Sequence, residues 1–343
     1  MTEEKCVLVT GANGEVGHGL ITYLSQDPHL VIVATDIQPL DISLKAIPLE
    51  FIQGDILDPA VLRRLFDGRA YRTVFHLASI LSTKGERSPE LAFHVNVDGT
   101  FNLLTLATQQ AREHKRTVKF LYPSSIAAYG LPDVAAKRTA GKVSEDVWCF
   151  PATMYGCNKL ACEGLGMYFS RHYRRLDDVP STHGIDFRSV RFPGLISALT
   201  VPTGGTSDYG PEMLHHAAQG KPYDCFVRED ACLPFMVMPD AIRALLQLEA
   251  APRERLSRSV YNVTSFSLSA GEIFQLTVQS FPSAKVRFIP DVNRQGIVDS
   301  WPCDVDDGAA RRDWGWQPEY DCRRAFDDYL IPAIRERYRT AAH

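Results

Sequence analysis

The tightest constraint on this chain sits at its start. An apolar, β-branched run, Val7-Leu8-Val9-Thr10, breaks into Gly11-Ala12-Asn13-Gly14-Glu15-Val16-Gly17, and helical spacing follows to Ser25. Three glycines as G-x-x-G-x-x-G between a strand and a helix permit a tight turn. They also let backbone N–H groups approach a pyrophosphate at the positive end of the helix. The last of them, Gly17, lets the helix pack close to the sheet. The same spacing occurs in plain turns, so the motif needs companions before it means a bound dinucleotide.

Two acidic residues supply them. Asp36 closes the second apolar run, Leu30–Thr35, where a carboxylate accepts both hydroxyls of a ribose and repels a 2′-phosphate. No arginine follows it, so the expected cofactor is NAD rather than NADP. Asp55 follows a third, weaker run in Gly54-Asp55-Ile56, a place suited to an adenine edge and equally to an ordinary turn aspartate. Further along, β-like segments at Thr73–Leu77 and Lys119–Pro123 alternate with helical stretches at Pro59–Phe66, Pro89–His114 and Ala152–Arg174, and a strand is expected at Asp186–Arg191. Strand and helix in series imply an α/β, Rossmann-type, doubly wound parallel sheet. After Gly194 the rhythm changes. Residues 1–194 are therefore expected to form the NAD-binding domain, with some later segments returning to it, and 195–343 mainly a smaller substrate-binding lobe.

Composition removes other classes. With 37 basic and 41 acidic residues among 343, the net charge of −4 offers no footprint for nucleic acid or an anionic membrane. Eight scattered cysteines form no C-x-x-C pair and no clustered ligand spacing, so reduced thiols and no metal site are expected. The acidic start, Met1-Thr2-Glu3-Glu4, resembles neither a signal nor a transit peptide, and no apolar run reaches the length of a membrane span. A cytoplasmic protein acting on a small molecule is the expectation.

The chemistry is read from Ser125, Tyr155 and Lys159. Tyr155 and Lys159 are four apart, on one face of the expected helix. Ser125 follows the strand Lys119–Pro123, beyond the carboxyl end of which ligands sit in a doubly wound sheet. Oxidising a secondary alcohol requires a base for the hydroxyl proton. A free phenol, with a pKa near ~10, is a poor base at neutral pH. A neighbouring ammonium and a positive nicotinamide favour the phenolate. Ser125 would orient the substrate hydroxyl. Taken alone, a Tyr/Lys pair is also what a solvated helix face displays.

With these residues in place the chain resembles the extended short-chain dehydrogenase/reductase family, which includes sugar-nucleotide epimerases and dehydratases. The likeness runs from the glycine turn through Asp36, Asp55-Ile56, His76-Leu77-Ala78-Ser79, Asn96 and Ser125 to Tyr155 with Lys159. By that resemblance Leu77, Ala78, Ser79 and Phe192 would line the cofactor together with Tyr155 and Lys159, and Asn96 would support the central strands. Within the family the likeness is to the short-chain type of L-threonine 3-dehydrogenases. It is carried by Ser79–Glu86, Arg191–Ser197, Gly204-Gly205-Thr206-Ser207-Asp208-Tyr209 and Asp299-Ser300-Trp301-Pro302. This implies NAD-dependent oxidation of the β-hydroxyl of L-threonine to 2-amino-3-oxobutyrate. Ser82, Ser125, Thr203 and Thr206 would hold the zwitterion and Trp301 would close the pocket, although each is also an ordinary loop or core residue.

Sugar-nucleotide relatives often carry Arg-Asp where this chain has Leu233-Pro234, and a diphosphate would lose a charge-assisted partner there. Val237 and Pro239 replace a usual tyrosine and aspartate, and Arg174–His183 reads as an insertion. Three alternatives stay open: a sugar-nucleotide epimerase, a dehydrogenase of another small β-hydroxy acid, and a non-catalytic NAD sensor. The resemblance also implies a homodimer through the two long helices, whose Leu91, Val95, Leu103, Leu160 and Leu165 fit either an interface or the core.

Overall fold

The computed structural model describes residues 5–177, 182–198, 200, 202 and 204–340. The chain divides into two compact units. The first comprises Met1–Ser124, Cys157–Val190 and Ile242–Tyr261; the second comprises Ser125–Gly156, Arg191–Ala241 and Asn262–His343.

The first unit is built on a seven-stranded sheet. Strands β1 (Cys6–Thr10), β2 (Val31–Asp36), β3 (Glu50–Gln53), β4 (Thr73–His76) and β5 (Val118–Ser125) are joined by Ile185–Phe192 and Val260–Asn262. Their order is Val260–Asn262, Ile185–Phe192, β5, β4, β1, β2, β3. β1 lies parallel to β2 (Val7↔Ile32) on one side and to β4 (Val7↔Thr73) on the other, and β4 is parallel to β5. This is the expected Rossmann-type α/β fold, with the order reversing at β1. The central strands are nearly continuous apolar runs because both faces are covered, and Val7, Leu8 and Val9 are wholly buried. Helix α1 (Glu15–Leu24) turns Gly17, Leu20, Ile21 and Leu24 inward at helical spacing. Leu8, Val33, Leu103, Leu104, Phe120 and Phe187 share one core cluster.

The sequence predicts one helix over Pro89–His114. The structure has α-helix at Pro89–Phe93 and Gly99–Glu113 with a π-helical turn, His94–Asp98, between them. Such wide turns re-aim a side chain, and here the residue at its centre is Asn96. Likewise β5 runs two residues past the predicted end, so Ser125 is the last residue of the strand, and the helix predicted at Ala152–Arg174 spans Met154–Arg171.

The second unit holds a three-stranded sheet in the order Phe266–Ser269, Cys232–Val237, Gly194–Ile196, and two strand pairs, Val286–Phe288 with Tyr223–Cys225 and Asp304–Val305 with Lys142–Val143. Its core gathers Ile126, Ala127, Tyr209, Leu214, Phe235 and Trp301, with Tyr155 packed against it.

Candidate active site

The glycine turn has the geometry that its spacing implies. Gly11 adopts φ +71°, and a Cβ there would lie 2.7 Å from the Ala78 nitrogen; a Cβ on Gly17 would lie 2.2 Å from the Gly11 carbonyl oxygen. Both contacts are with backbone and neither can yield. Gly14 caps α1 without a side chain, which leaves the first turn of the helix open to an anion. Asp36, at the end of β2, accepts from the Asn13 amide at 3.0 Å and from the Gln38 amide at 3.0 Å. A carboxylate has about four acceptor positions, so it retains capacity for two hydroxyls. The Asn13 side chain donates to the Pro39 carbonyl at 2.9 Å and accepts from the Asp41 amide at 2.9 Å, tying the turn to the segment after β2. Glu15 and Val16 open α1. These residues fit a dinucleotide.

Asp55 accepts from the Leu57 amide at 2.9 Å. That is the turn geometry the sequence held open for it. Ile56 is buried and lies where a Cβ on Gly99 would be 2.6 Å from its Cδ1.

Beneath Leu77 and Ala78 runs a hydrogen-bond chain that the sequence did not announce. Both amides donate to Thr10 Oγ1 at 3.2 Å, Thr10 Oγ1 lies 2.8 Å from His76 Nδ1, and His76 Nε2 lies 2.9 Å from Thr100 Oγ1. Thr100 spends its own proton on the Asn96 carbonyl at 2.5 Å. Its oxygen must therefore accept from His76 Nε2–H, which leaves Nδ1 to accept from Thr10. The polarity is consistent only for a neutral imidazole, and burial depresses the His76 pKa to about 3. The Asn96 carboxamide clasps both backbone groups of Ile80, accepting from its amide at 2.7 Å and donating to its carbonyl at 3.0 Å. Those bonds direct Asn96 to the loop that begins at Ser79. Ser82, one turn on, is buried.

Lys159 is almost fully buried, 3% exposed. Its Nζ donates to the Pro123 carbonyl at 2.6 Å and stands 4.5 Å above the Tyr122 ring. Burial lowers its pKa to about 8, while the charge of Glu163 works in the opposite direction. Glu163 accepts from Ser124 Oγ at 2.5 Å.

In the second unit Ser125 and Tyr155 are hydrogen-bonded to each other. Burial pushes the Tyr155 phenol upward in pKa and that bond pulls it back. The Ser125 oxygen also accepts from the Ala127 amide at 3.1 Å, capping the short turn Ile126–Ala128. What brings the pair together is a residue the sequence reading passed over. A Cβ on Gly156 would lie 2.0 Å from the Ala127 carbonyl oxygen, so glycine directly after Tyr155 lets the start of the helix press onto the turn that follows Ser125. The signal was the Tyr155-Gly156 pair itself.

Of the remaining expected contacts, Phe192 ends its strand buried, Thr206 is buried, and Thr203 lies outside the described residues. The loop around Thr206 is shaped by Asp208, which accepts from the Gly205 amide at 2.6 Å, and by Arg294, which donates to the Gly205 carbonyl at 2.8 Å. Trp301 is buried in the same core cluster that Tyr155 flanks, and its indole nitrogen has no partner among the described residues. Leu233 is wholly buried and pairs with Leu268 in the middle sheet strand. Two cations of this unit are already committed, Arg228 bidentately to Asp299 and Arg294 to the loop. No described helix is long and apolar enough to cross a membrane.

Known proteins resemble this chain over most of its length. The model of the NAD dependent epimerase/dehydratase family matches residues 7–264. The mitochondrial L-threonine 3-dehydrogenase of Bos taurus is 33% identical over 328 residues, covering 93% of this chain and 80% of that protein. Among solved structures, a monomeric L-threonine 3-dehydrogenase from a metagenome is 35% identical with a TM-score of 0.82, covering 96% of this chain and 99% of that one. The holo form of the GalE-like L-threonine dehydrogenase of Cupriavidus necator is 34% identical with a TM-score of 0.82, covering 94% of this chain and 98% of that one. The glycine turn, the carboxylate closing β2 and a match running through most of the sequence lead to one conclusion: this chain belongs to the NAD dependent epimerase/dehydratase family.

Proposed function

We propose that the protein is an NAD-dependent dehydrogenase that oxidises the β-hydroxyl of L-threonine to 2-amino-3-oxobutyrate. The observation that carries this reading is the Ser125–Tyr155 hydrogen bond at the start of the helix that also bears Lys159, one turn further on. The likeness to threonine dehydrogenases over nearly the whole chain supports the substrate.

In this reading the glycine turn receives the pyrophosphate and Asp36 the adenosine ribose. NAD, when bound, supplies the hydride acceptor. Ser125 holds the substrate hydroxyl against Tyr155, and Tyr155 takes its proton. A buried phenol does not ionise unaided. Lys159, held on the Pro123 carbonyl one helical turn away, and the positive nicotinamide of bound NAD would supply the charge that favours the phenolate as the proton leaves the substrate. Ser82, Thr203 and Thr206 serve the ammonium and carboxylate, and Trp301 closes the pocket. Such a substrate needs no arginine for a diphosphate, which accords with the strand position of Leu233-Pro234 and with the committed side chains of Arg228 and Arg294.

Mixing the purified protein with NAD and L-threonine and following NADH tests the reading. Turnover is expected with threonine and not with UDP-sugars. Turnover only with other β-hydroxy acids would overturn the substrate and keep the mechanism. We also propose a cytoplasmic location, suited to eight free thiols, and a homodimer. Leu91, Phe93, Phe101 and Tyr168 are exposed on the helices in question, whereas Leu103 is spent on the core. Light scattering reads the mass directly.

A further inference from the structure

Cys232 and Cys303 are 71 residues apart in sequence and adjacent in the second unit. Cys232 opens the strand Cys232–Val237, and Cys303 lies between Trp301-Pro302 and the strand Asp304–Val305. The Cys232 thiol donates to the Cys303 carbonyl oxygen at 3.8 Å, which sets the two cysteines side by side. Both residues are partly exposed. The ammonium of Lys137, a side chain only 5% exposed, is anchored 2.8 Å from the Val298 carbonyl, and its charge acts on both sulfurs. A buried cation beside two neighbouring thiols has no part in the reaction proposed above.

From this cluster we infer that Cys232 and Cys303 form a peroxide-reactive dithiol that closes reversibly into a disulfide. The electrostatics of the cluster set the direction of attack. The thiolate forms on Cys303, whose pKa falls to about 7 beside the Cys232 thiol and the Lys137 ammonium, while that of Cys232 is driven up. Among the described thiols whose acidity is displaced, the others move upward: burial raises Cys6 and Cys225 to about 11, and raises Cys162 and Cys322.

The chemistry balances with hydrogen peroxide as oxidant. The Cys303 thiolate attacks one peroxide oxygen, the O–O bond breaks, and hydroxide leaves to take up a proton as water. Cys303 is then a sulfenic acid. The Cys232 sulfur attacks the Cys303 sulfur, the S–O bond breaks, and the second oxygen leaves as water with the proton of Cys232. Two thiols have lost two electrons and peroxide has become two waters. The Cys232 sulfur already lies 3.8 Å from the Cys303 carbonyl oxygen, so the two side chains start out side by side.

The test uses the full chain at pH 7 with limiting hydrogen peroxide, followed by alkylation and peptide mapping. A peptide pair joined through Cys232 and Cys303, lost on treatment with dithiothreitol, is expected before the exposed Cys157 is oxidised. Cys232→Ser should leave Cys303 as a sulfenic acid trapped by dimedone, and Cys303→Ser should leave Cys232 unreacted. Oxidation led by Cys157, or a wild-type Cys303 that is oxidised without the crosslink, would overturn the inference. The wild-type map decides the matter even if either variant misfolds.

Discussion

Two regions, the glycine turn of the first unit and the Tyr155 surroundings of the second, treat their polar groups differently. Around the glycine turn of the first, nearly every donor meets an acceptor: Leu77 and Ala78 on Thr10, Thr10 on His76, His76 on Thr100, Thr100 on Asn96. A network of that kind holds backbone in one place. In the second unit the proposed chemistry would rest on one pair, Ser125 and Tyr155, set against an apolar cluster in which the Trp301 indole nitrogen and the Tyr209 hydroxyl have no described partner. Binding a large invariant cofactor rewards a preformed mould. On the proposed reading, handling a small hydroxy acid rewards a dry pocket wall with one or two placed polar groups.

The sharpest way to break that contrast is Tyr155→Phe. It should lower kcat about 10³-fold, the scale of a lost general base, while NAD affinity, read by fluorescence titration, stays within a few-fold. A similar loss of both would show that the two halves are not separable. Next in size, Gly17→Ala drives a methyl into the Gly11 carbonyl. It should abolish NAD binding or lower stability by about 3 kcal/mol, at the upper end of local backbone strain, measured by thermal unfolding with and without cofactor.

His76 tests the network through pH. Its folded pKa, about 3, lies below the ordinary histidine value, so the unfolded chain binds the extra proton first. The stability contributed by the neutral ring is complete above about pH 6.5 and is lost as pH falls from there toward 3. His76→Gln should flatten that acid limb of a urea-midpoint profile while leaving the neutral-pH spectrum intact. The smallest effect is expected at Asp36→Asn, about tenfold weaker NAD binding from weakened charge-assisted bonds and reduced discrimination against NADP. An unchanged preference would remove Asp36 from the ribose.

Much of this was legible in the sequence because it depends on local residue type. Gly11 and Gly17 are glycine because a Cβ cannot fit, Asp36 ends a strand, and Tyr155 and Lys159 sit one helical turn apart. What stayed hidden depends on long-range placement. Thr10, His76 and Thr100 are ordinary residues until β1, β4 and the helix Gly99–Glu113 bring them together. The π-helical turn at Asn96 breaks no propensity rule, so periodicity reads straight through it. Gly156 is unremarkable until the Ala127 carbonyl fixes how close the helix must come, and the Cys232–Cys303 contact joins segments with no spacing signature at all.

The interleaving of the two units carries a consequence for synthesis. The polypeptide passes between them five times, and the first unit is not finished until Ile242–Tyr261 has been made. The edge strand Val260–Asn262 therefore reaches its neighbour only after most of the message has been translated. The nascent nucleotide fold waits with an open sheet margin, a state in which unpaired strand edges invite aggregation. Premature termination anywhere before residue 261 should yield a product for chaperones or proteases, and no single crossover between two related genes would transplant one unit whole.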